Sequence, residues 1–233
     1  METVIVGGPH SYVGKTLAAE IAIRALLPRR IGAIKLTVAD GERDATHDHG
    51  ASALAVADAA GICGRGASCG VCETVSASIP SRIITSERAI RKNGTDTRRL
   101  SDAGAIGVAW IIALRGDAPR AVAAATDQLA ARGAELVVIE GTTALEWLAP
   151  AASVLVATEP GRHWKRVALE RVASCDIVLR NLVPSPSGSE AAPLQFWEAH
   201  PVACDLAEPR DPGRLAYEAK LRALLAARAA SAN

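Results

Sequence analysis

The stretch that decides the fold is Val4-Ile5-Val6-Gly7-Gly8-Pro9-His10-Ser11-Tyr12-Val13-Gly14-Lys15-Thr16. A short apolar run leads into a glycine-bearing loop, and the apolar residues of 16–27 then recur at helical spacing. A buried strand, a loop and a helix in this order predict a phosphate-binding loop, or P-loop. In such a loop, backbone N–H groups and the positive end of the helix dipole receive phosphate oxygens.

Two side chains of this loop are predicted to carry most of its chemistry. Lys15 is expected to place a positive charge at the terminal phosphates of a nucleotide, and the Thr16 hydroxyl is expected to bind Mg²⁺. Pro9 stands where the usual spacing has its first glycine, and it has no N–H group to donate. Either the loop is one residue longer, or Pro9 begins it where no N–H is needed. The other predicted nucleotide contacts of the loop are Gly8, His10, Ser11, Val13 and Gly14.

Acidic residues at the ends of apolar runs are the candidates for holding the metal. Glu140 follows the run 136–139, and it is expected at the ligand edge of a parallel sheet, together with the phosphate loop. It is the best candidate for Mg²⁺ and the third predicted catalytic residue, and Asp40 after the second strand is the next candidate. Asn181 follows another apolar run and is a candidate for contact with the nucleobase. The Lys-x-Asp sequence typical of guanine recognition does not follow it, so GTP and ATP both stay open.

Apolar runs alternate with helical segments along the chain, and this predicts an α/β fold with a mostly parallel sheet and helices on both faces. The 233 residues suit a single domain, 1–233, in which a polar, glycine-rich segment at about 40–93 forms an insertion. A frayed tail is predicted at 229–233. Strands are predicted at 4–6, 31–38, 107–114, 135–139, 153–157, 176–179 and 202–205, and helices at 16–27, 119–132, 167–173 and 214–227.

The insertion carries three closely spaced cysteines, Cys63, Cys69 and Cys72, among several glycines. Thiolates at such spacing suit Zn²⁺ or an iron–sulfur cluster. A fourth ligand would come from His47, His49, Cys175, a substrate or a second subunit. The alternative is three thiols that bind no metal.

Composition narrows the range of partners. The net charge of +1 argues against a broad basic surface for nucleic acid. No apolar run reaches the roughly 18 residues of a membrane span. The five cysteines do not form a secreted disulfide framework, and no secretory signal is evident, so a cytoplasmic protein is expected.

The chain resembles the molybdopterin-guanine dinucleotide biosynthesis protein B group of P-loop GTPases, over roughly its first two-thirds. The resemblance implies a SIMIBI-type nucleotide-binding domain, often dimeric, beside molybdenum cofactor assembly, with a pterin or metal cofactor and its target enzyme as partners. It also implies that Gly14, Lys15 and Thr16 bind phosphate and Mg²⁺ and that Glu140 ends the Walker B strand. Two features depart from the family: Leu36-Thr37 replaces a His-rich stretch after Lys35, and the cysteine cluster is extra. The residues that carry the resemblance are Gly-Gly-Pro-His-Ser-Tyr-Val-Gly-Lys-Thr at 7–16, Ala-Ile-Lys-Leu-Thr at 33–37, Gly-Thr-Asp-Thr-Arg-Arg-Leu-Ser-Asp-Ala-Gly-Ala at 94–105 and Val-Val-Ile-Glu-Gly at 137–141.

The function predicted from these features is Mg²⁺-dependent binding and hydrolysis of a nucleoside triphosphate in support of metal-cofactor biosynthesis. Slow intrinsic turnover is expected, because no catalytic base is evident. Two alternatives stay open. One is an iron–sulfur or zinc protein that uses the nucleotide as a switch for electron or metal transfer, and the other is a small-molecule kinase.

Overall fold

One sheet of eight strands organises the part of the chain that the computed structural model describes, which is residues 1–39, 74–161, 163–183 and 189–231. The strands are β1 (Glu2–Gly7), β2 (Ile31–Ala39), β3 (Ser81–Ile84), β4 (Gly107–Leu114), β5 (Leu136–Glu140), β6 (Ala152–Thr158), β7 (Ile177–Asn181) and β8 (Val202–Cys204). Their order across the sheet is β3-β4-β2-β5-β1-β6-β7-β8. All neighbours run parallel except β3, which is antiparallel to β4.

Helices cover both faces of this sheet. They are α1 (Lys15–Ala25), α2 (Glu87–Ile90), α3 (Asp96–Asp102), α4 (Ala118–Ala131), α5 (Arg166–Arg171), α6 (Leu194–Glu198) and α7 (Pro212–Ser231), with 3₁₀ turns at Thr142–Glu146 and Val172–Ser174. Apolar side chains of α1, α3 and α7 pack on one face. Those of α4, α5 and α6 pack on the other face. The predicted α/β class with a mostly parallel, doubly covered sheet is therefore confirmed.

Alternation along β1 shows how the two layers arise from the sequence. Val4 and Val6 pack beneath α1, whereas Ile5 points to the α4 side, because successive side chains of a strand face opposite ways. Both sets are buried, so the strand is apolar throughout. On the α1 face, the buried Tyr217 of α7 donates its hydroxyl to the Ala18 carbonyl oxygen at 3.0 Å and fastens the last helix to the first.

Several details differ from the predicted elements. Helix α1 begins one residue earlier than predicted, and α7 continues to Ser231, where a frayed tail was expected. The segment predicted as an insertion contributes β3 to the sheet, while its residues 40–73 lie outside the described part of the chain. No helix among the described residues is long and apolar enough to span a membrane.

Candidate functional site

The carboxyl ends of the central strands bring three separate parts of the sequence to one edge of the sheet. Glu140 at the end of β5 is paired in register with Val6 of β1 on one side and with Lys35 of β2 on the other. The loop after β1 leaves the sheet at this same edge and leads into α1. This is the edge at which parallel α/β sheets bind their ligands.

The loop between β1 and α1 is held closely against the sheet. A Cβ atom on Gly8 would lie 2.5 Å from the Val156 carbonyl oxygen, so only glycine fits there. The Gly8 N–H donates to Thr142 Oγ1 at 2.9 Å, and this hydroxyl donates to the Gly8 carbonyl oxygen at 2.7 Å. The predicted contact residue Gly8 thus uses its amide inside the protein, to anchor the loop on the 3₁₀ turn after β5.

The front of α1 has the features of an anion site. Gly14 adopts φ 102° just before the helix and has no side chain to cap the first-turn N–H groups, and no acidic residue stands in that turn. The first-turn N–H groups of an α-helix have no partner within the helix, and the dipole there favours a negative charge. Lys15 begins α1, where a positive side chain is unfavourable unless an anion lies beside it.

Lys15 folds onto the loop that precedes it. Its ammonium group donates to the His10 carbonyl oxygen. The pKa of Lys15 is lowered to about 7, chiefly by burial and also by the positive charges of Lys35 and Lys165, whereas the charges of Glu140 and Asp96 oppose the shift. A phosphate group in the loop would place a negative charge beside this ammonium and raise its pKa.

Four side chains from four elements meet behind the loop. Thr16 Oγ1 donates to Glu140 Oε2 at 3.1 Å, and the ammonium of Lys35 donates to Glu140 Oε1. Lys35 Nζ also lies 2.6 Å from Asp96 Oδ2, at the start of α3. We call Thr16, Lys35, Asp96 and Glu140 the charge cluster. The side chain of Glu140 is only 2% exposed, so its charge depends on these partners.

The pKa values of the charge cluster reflect mutual stabilisation. Burial alone would lower the pKa of Lys35, but the charges of Glu140 and Asp96 outweigh it and raise the pKa above its ordinary value. Burial would raise the pKa of Asp96, but the charge of Lys35 and hydrogen bonds with Lys35 and Thr16 lower it. Lys35 is thus held protonated and Asp96 ionised.

Asn181 and His10 hold the outer parts of the loop. The amide nitrogen of the buried Asn181 donates to the Val13 carbonyl oxygen at 3.1 Å, and its oxygen accepts from the Val183 N–H at 3.3 Å. His10 is buried, and its Nδ1 lies 2.8 Å from the Ser11 carbonyl oxygen. In this structure Asn181 positions the loop, and its predicted contact with a nucleobase stays a prediction.

The sequence interpretation assigned no role to Lys35, Asp96 or Thr142, which the structure places at the site. Lys35 and Asp96 stand inside two of the motifs that carry the family resemblance, and a lysine within a largely apolar strand is itself a signal of a buried partner. Thr142 comes two residues after Glu140 and gave no comparable signal.

Several predicted residues lie elsewhere or outside the described part of the chain. Asp40, His47, His49 and the cysteine cluster of Cys63, Cys69 and Cys72 fall within residues 40–73, which are not described. Cys175 precedes β7, at the sheet edge opposite to the loop between β1 and α1, and packs against the apolar side chains of two core clusters. Across the described ranges, no three His, Cys, Asp or Glu side chains gather into a metal-binding group.

The side chains present nevertheless suit Mg²⁺. Thr16, Asp96 and Glu140 offer a hydroxyl and two carboxylates, and Mg²⁺ prefers oxygen ligands from one or two carboxylates together with phosphate and water. Comparisons with protein-family models, with curated proteins and with solved structures found no match for this chain. The interpretation of the site therefore rests on its geometry.

Proposed function

We propose that the protein binds a nucleoside triphosphate together with Mg²⁺ at the loop between β1 and α1 and hydrolyses it. One observation carries the proposal. Lys15 and Thr16 begin a helix behind a glycine-bearing loop, and Thr16 is hydrogen-bonded to Glu140 at the end of the neighbouring β5. This arrangement places an ammonium, a hydroxyl and a carboxylate around one point at the front of a helix.

Binding would draw on groups that have no anionic partner within the loop. The first-turn N–H groups of α1 and the Lys15 ammonium face an anion from two sides, and together they offset the charge of the β- and γ-phosphates. Gly14 in its left-handed conformation gives the chain the turn that aims these groups at the loop. A phosphate replaces the His10 carbonyl oxygen as the acceptor for Lys15.

Hydrolysis needs little from the protein beyond position and charge. A water oxygen forms a bond to the γ-phosphorus, and the bond from that phosphorus to the β,γ-bridging oxygen breaks. The nucleoside diphosphate and inorganic phosphate leave, and the protons of the attacking water pass to the phosphate and to solvent. Bound Mg²⁺ supplies Lewis-acid stabilisation of the phosphate oxygens. Thr16 and Glu140 would hold it, with Asp96 beside them. Glu140 is engaged by Thr16 and Lys35, so it is poorly placed to act as a base, and turnover is expected to be slow.

The preferred nucleobase and the phosphoryl acceptor can be determined in the same experiment. If a small molecule takes the place of water, the protein is a kinase on the same site, and a phosphorylated acceptor replaces free phosphate among the products. A role in metal-cofactor biosynthesis is proposed from the family resemblance alone. No described residue favours the alternative of electron or metal transfer over hydrolysis.

The test is a titration of the purified protein with fluorescent ATP and GTP analogues in Mg²⁺, followed by measurement of phosphate release. The wild type is expected to bind one of them, and Lys15→Ala is expected to weaken binding about 10- to 100-fold, because a charge-assisted contact is worth about 1.5–3 kcal/mol. Lys220→Ala, on the exposed surface of α7, is the matched control and should bind as the wild type does. Absence of binding by folded wild-type protein, or full binding by Lys15→Ala, contradicts the proposal.

A further inference from the structure

The charge cluster arises because two strands and two helices converge on one face of the sheet. On β2, Ile31 and Ala33 pack beneath α1, and Lys35 is the next residue on that face. On β5, Glu140 follows Leu136 and Val138 on the same face. Helix α1 brings Thr16 to these two residues, and α3 brings Asp96.

The ammonium of Lys35 lies where the oxygen atoms of this cluster suit a cation. It contacts one oxygen of Glu140 and one of Asp96, and Thr16 is bonded to the other oxygen of Glu140. The side chains of Lys35 and Glu140 are 17% and 2% exposed. A carboxylate so deeply buried needs a compensating charge, and Lys35 supplies it.

A metal ion at Thr16 and Glu140 would need the same oxygen atoms. Mg²⁺ is compact and binds carboxylate and hydroxyl oxygens at about 2.1 Å, which leaves no room for an ammonium on those atoms. The two cations therefore compete. An ammonium on a four-carbon stem can leave the carboxylates without leaving the site, since the stem remains attached to β2.

We propose that Lys35 is a tethered counter-ion: its ammonium occupies the cation site of Thr16, Asp96 and Glu140 until Mg²⁺ and a triphosphate displace it onto the phosphates. The part that involves nucleotide rests on the proposed function, whereas the competition with a metal does not. The consequence is that tight binding of the metal depends on the triphosphate. A divalent cation alone binds poorly, because the displaced ammonium has no new partner, and it binds well when phosphate oxygens receive that ammonium.

The competition is measured without nucleotide, with Mn²⁺ as the probe and electron paramagnetic resonance to count free ions. Lys35→Met removes the ammonium and keeps the length of the side chain, and it is expected to tighten Mn²⁺ binding at least tenfold. Lys35→Arg keeps the charge and should bind Mn²⁺ as weakly as the wild type. The double variant Lys35→Met/Glu140→Gln should lose the added Mn²⁺ affinity, because one of the two carboxylates is replaced by a neutral amide. Circular dichroism establishes that each variant is folded.

Two results would overturn the inference: a folded Lys35→Met protein that binds Mn²⁺ no more tightly than the wild type, or a gain that survives in the double variant. If Lys35→Met does not fold, the Nζ resonance of Lys35 is followed in ¹⁵N-lysine-labelled wild type. It should shift when Mg²⁺ and a β,γ-imido nucleotide bind, and an unmoved resonance in the nucleotide-bound protein contradicts displacement. A wild type that binds no nucleotide contradicts the proposed function. The Mn²⁺ comparison would still show whether the Lys35 ammonium competes with a divalent cation.

Discussion

Thr16 Oγ1 donates a hydrogen bond to Glu140 Oε2 at 3.1 Å, although the two residues lie 124 positions apart in the chain. The bond joins the first turn of α1 to the end of β5 and fixes the direction of the carboxylate. The second carboxylate oxygen is left to Lys35. One buried carboxylate therefore connects the front of α1 to Lys35, and its replacement should separate the proposed nucleotide binding from its dependence on a metal.

Glu140→Gln keeps the shape of this side chain and removes its charge. We expect nucleotide affinity measured with Mg²⁺ to fall to the value measured in EDTA, because the amide holds Mg²⁺ far less well than a carboxylate does. Fluorescence titration with and without Mg²⁺ measures the difference. Glu146→Gln is the control, since Glu146 pairs with Arg115 at the surface, 2.7 Å apart. Full Mg²⁺ enhancement in Glu140→Gln would show that the metal is held elsewhere.

Gly8→Ala tests how closely the loop between β1 and α1 approaches the sheet. The added Cβ would meet the Val156 carbonyl oxygen at 2.5 Å and a Val13 side-chain carbon at 2.7 Å, so the loop must move. Overpacking of this kind lowers the free energy of unfolding by about 1–3 kcal/mol, which urea denaturation measures. Gly116→Ala is the control, because no neighbouring atom lies within 4 Å of the place that its added methyl group would take, and its stability should change little. Equal stability of the two variants would contradict the close approach.

Tyr12→Gly tests backbone strain at the tip of the loop. In the described part of the chain, two residues other than glycine have positive φ: Tyr12 at 65° and His200 at 49°. Tyr12 is 72% exposed, so its ring contributes little packing. We expect Tyr12→Gly to raise the free energy of unfolding by about 0.5–1 kcal/mol, since relief of left-handed strain exceeds the added chain entropy. His200→Gly, in an exposed turn, should give a similar gain.

A lower stability of Tyr12→Gly in urea, with the expected gain in His200→Gly, would show that the ring makes stabilising contacts despite its exposure. Nucleotide titration of the same variants adds information. Strained residues concentrate at functional sites. A Tyr12→Gly protein that is more stable but binds nucleotide more weakly would assign the ring a role at the site, and His200→Gly should leave binding unchanged.

The parts of the site that are local in sequence could be predicted from it, and the parts that depend on strand register could not. The loop, Lys15 and Thr16 follow one another along the chain, so apolar spacing and loop chemistry are sufficient to find them. Glu140 is marked by the end of an apolar run. Lys35 reaches Glu140 only because β2 and β5 pair in that register, and a single sequence does not reveal which strands are neighbours.

The dependence on long-range pairing also explains why β3 was not predicted. This strand has four residues, Ser81–Ile84, and forms the antiparallel edge of the sheet in a segment whose polar composition suggested a loop. Its structure comes from pairing with β4, not from a pattern of its own. Asp96 likewise begins a seven-residue helix, and its place beside Lys35 depends on how α3 packs against α1 and β4.

The last prediction concerns Cys175, which is half-buried next to the start of β7. Its pKa is raised to about 11, chiefly by burial and also by the charge of Asp176, whereas a hydrogen bond with Ser153 opposes the shift. In a variant with serine at positions 63, 69 and 72, the rate of alkylation of Cys175 by iodoacetamide should rise about tenfold per pH unit from pH 7 to 10, because only the thiolate reacts and its fraction grows with pH below the pKa. An ordinary cysteine, with a pKa of about 8.5, levels off near pH 9.

Further replacement of Cys175 by serine leaves Cys204, which is buried and has its pKa raised to about 12 by burial and by Asp211 and Asp205. That protein should react far more slowly at every pH, which assigns the measured rate to Cys175. A rate that levels off by pH 9 would mean that the Cys175 thiol is hydrated like that of a surface residue. Cys175 would then be accessible enough to serve as a fourth metal ligand. The steep rise would instead mean that its thiol is packed between the sheet and its covering helices.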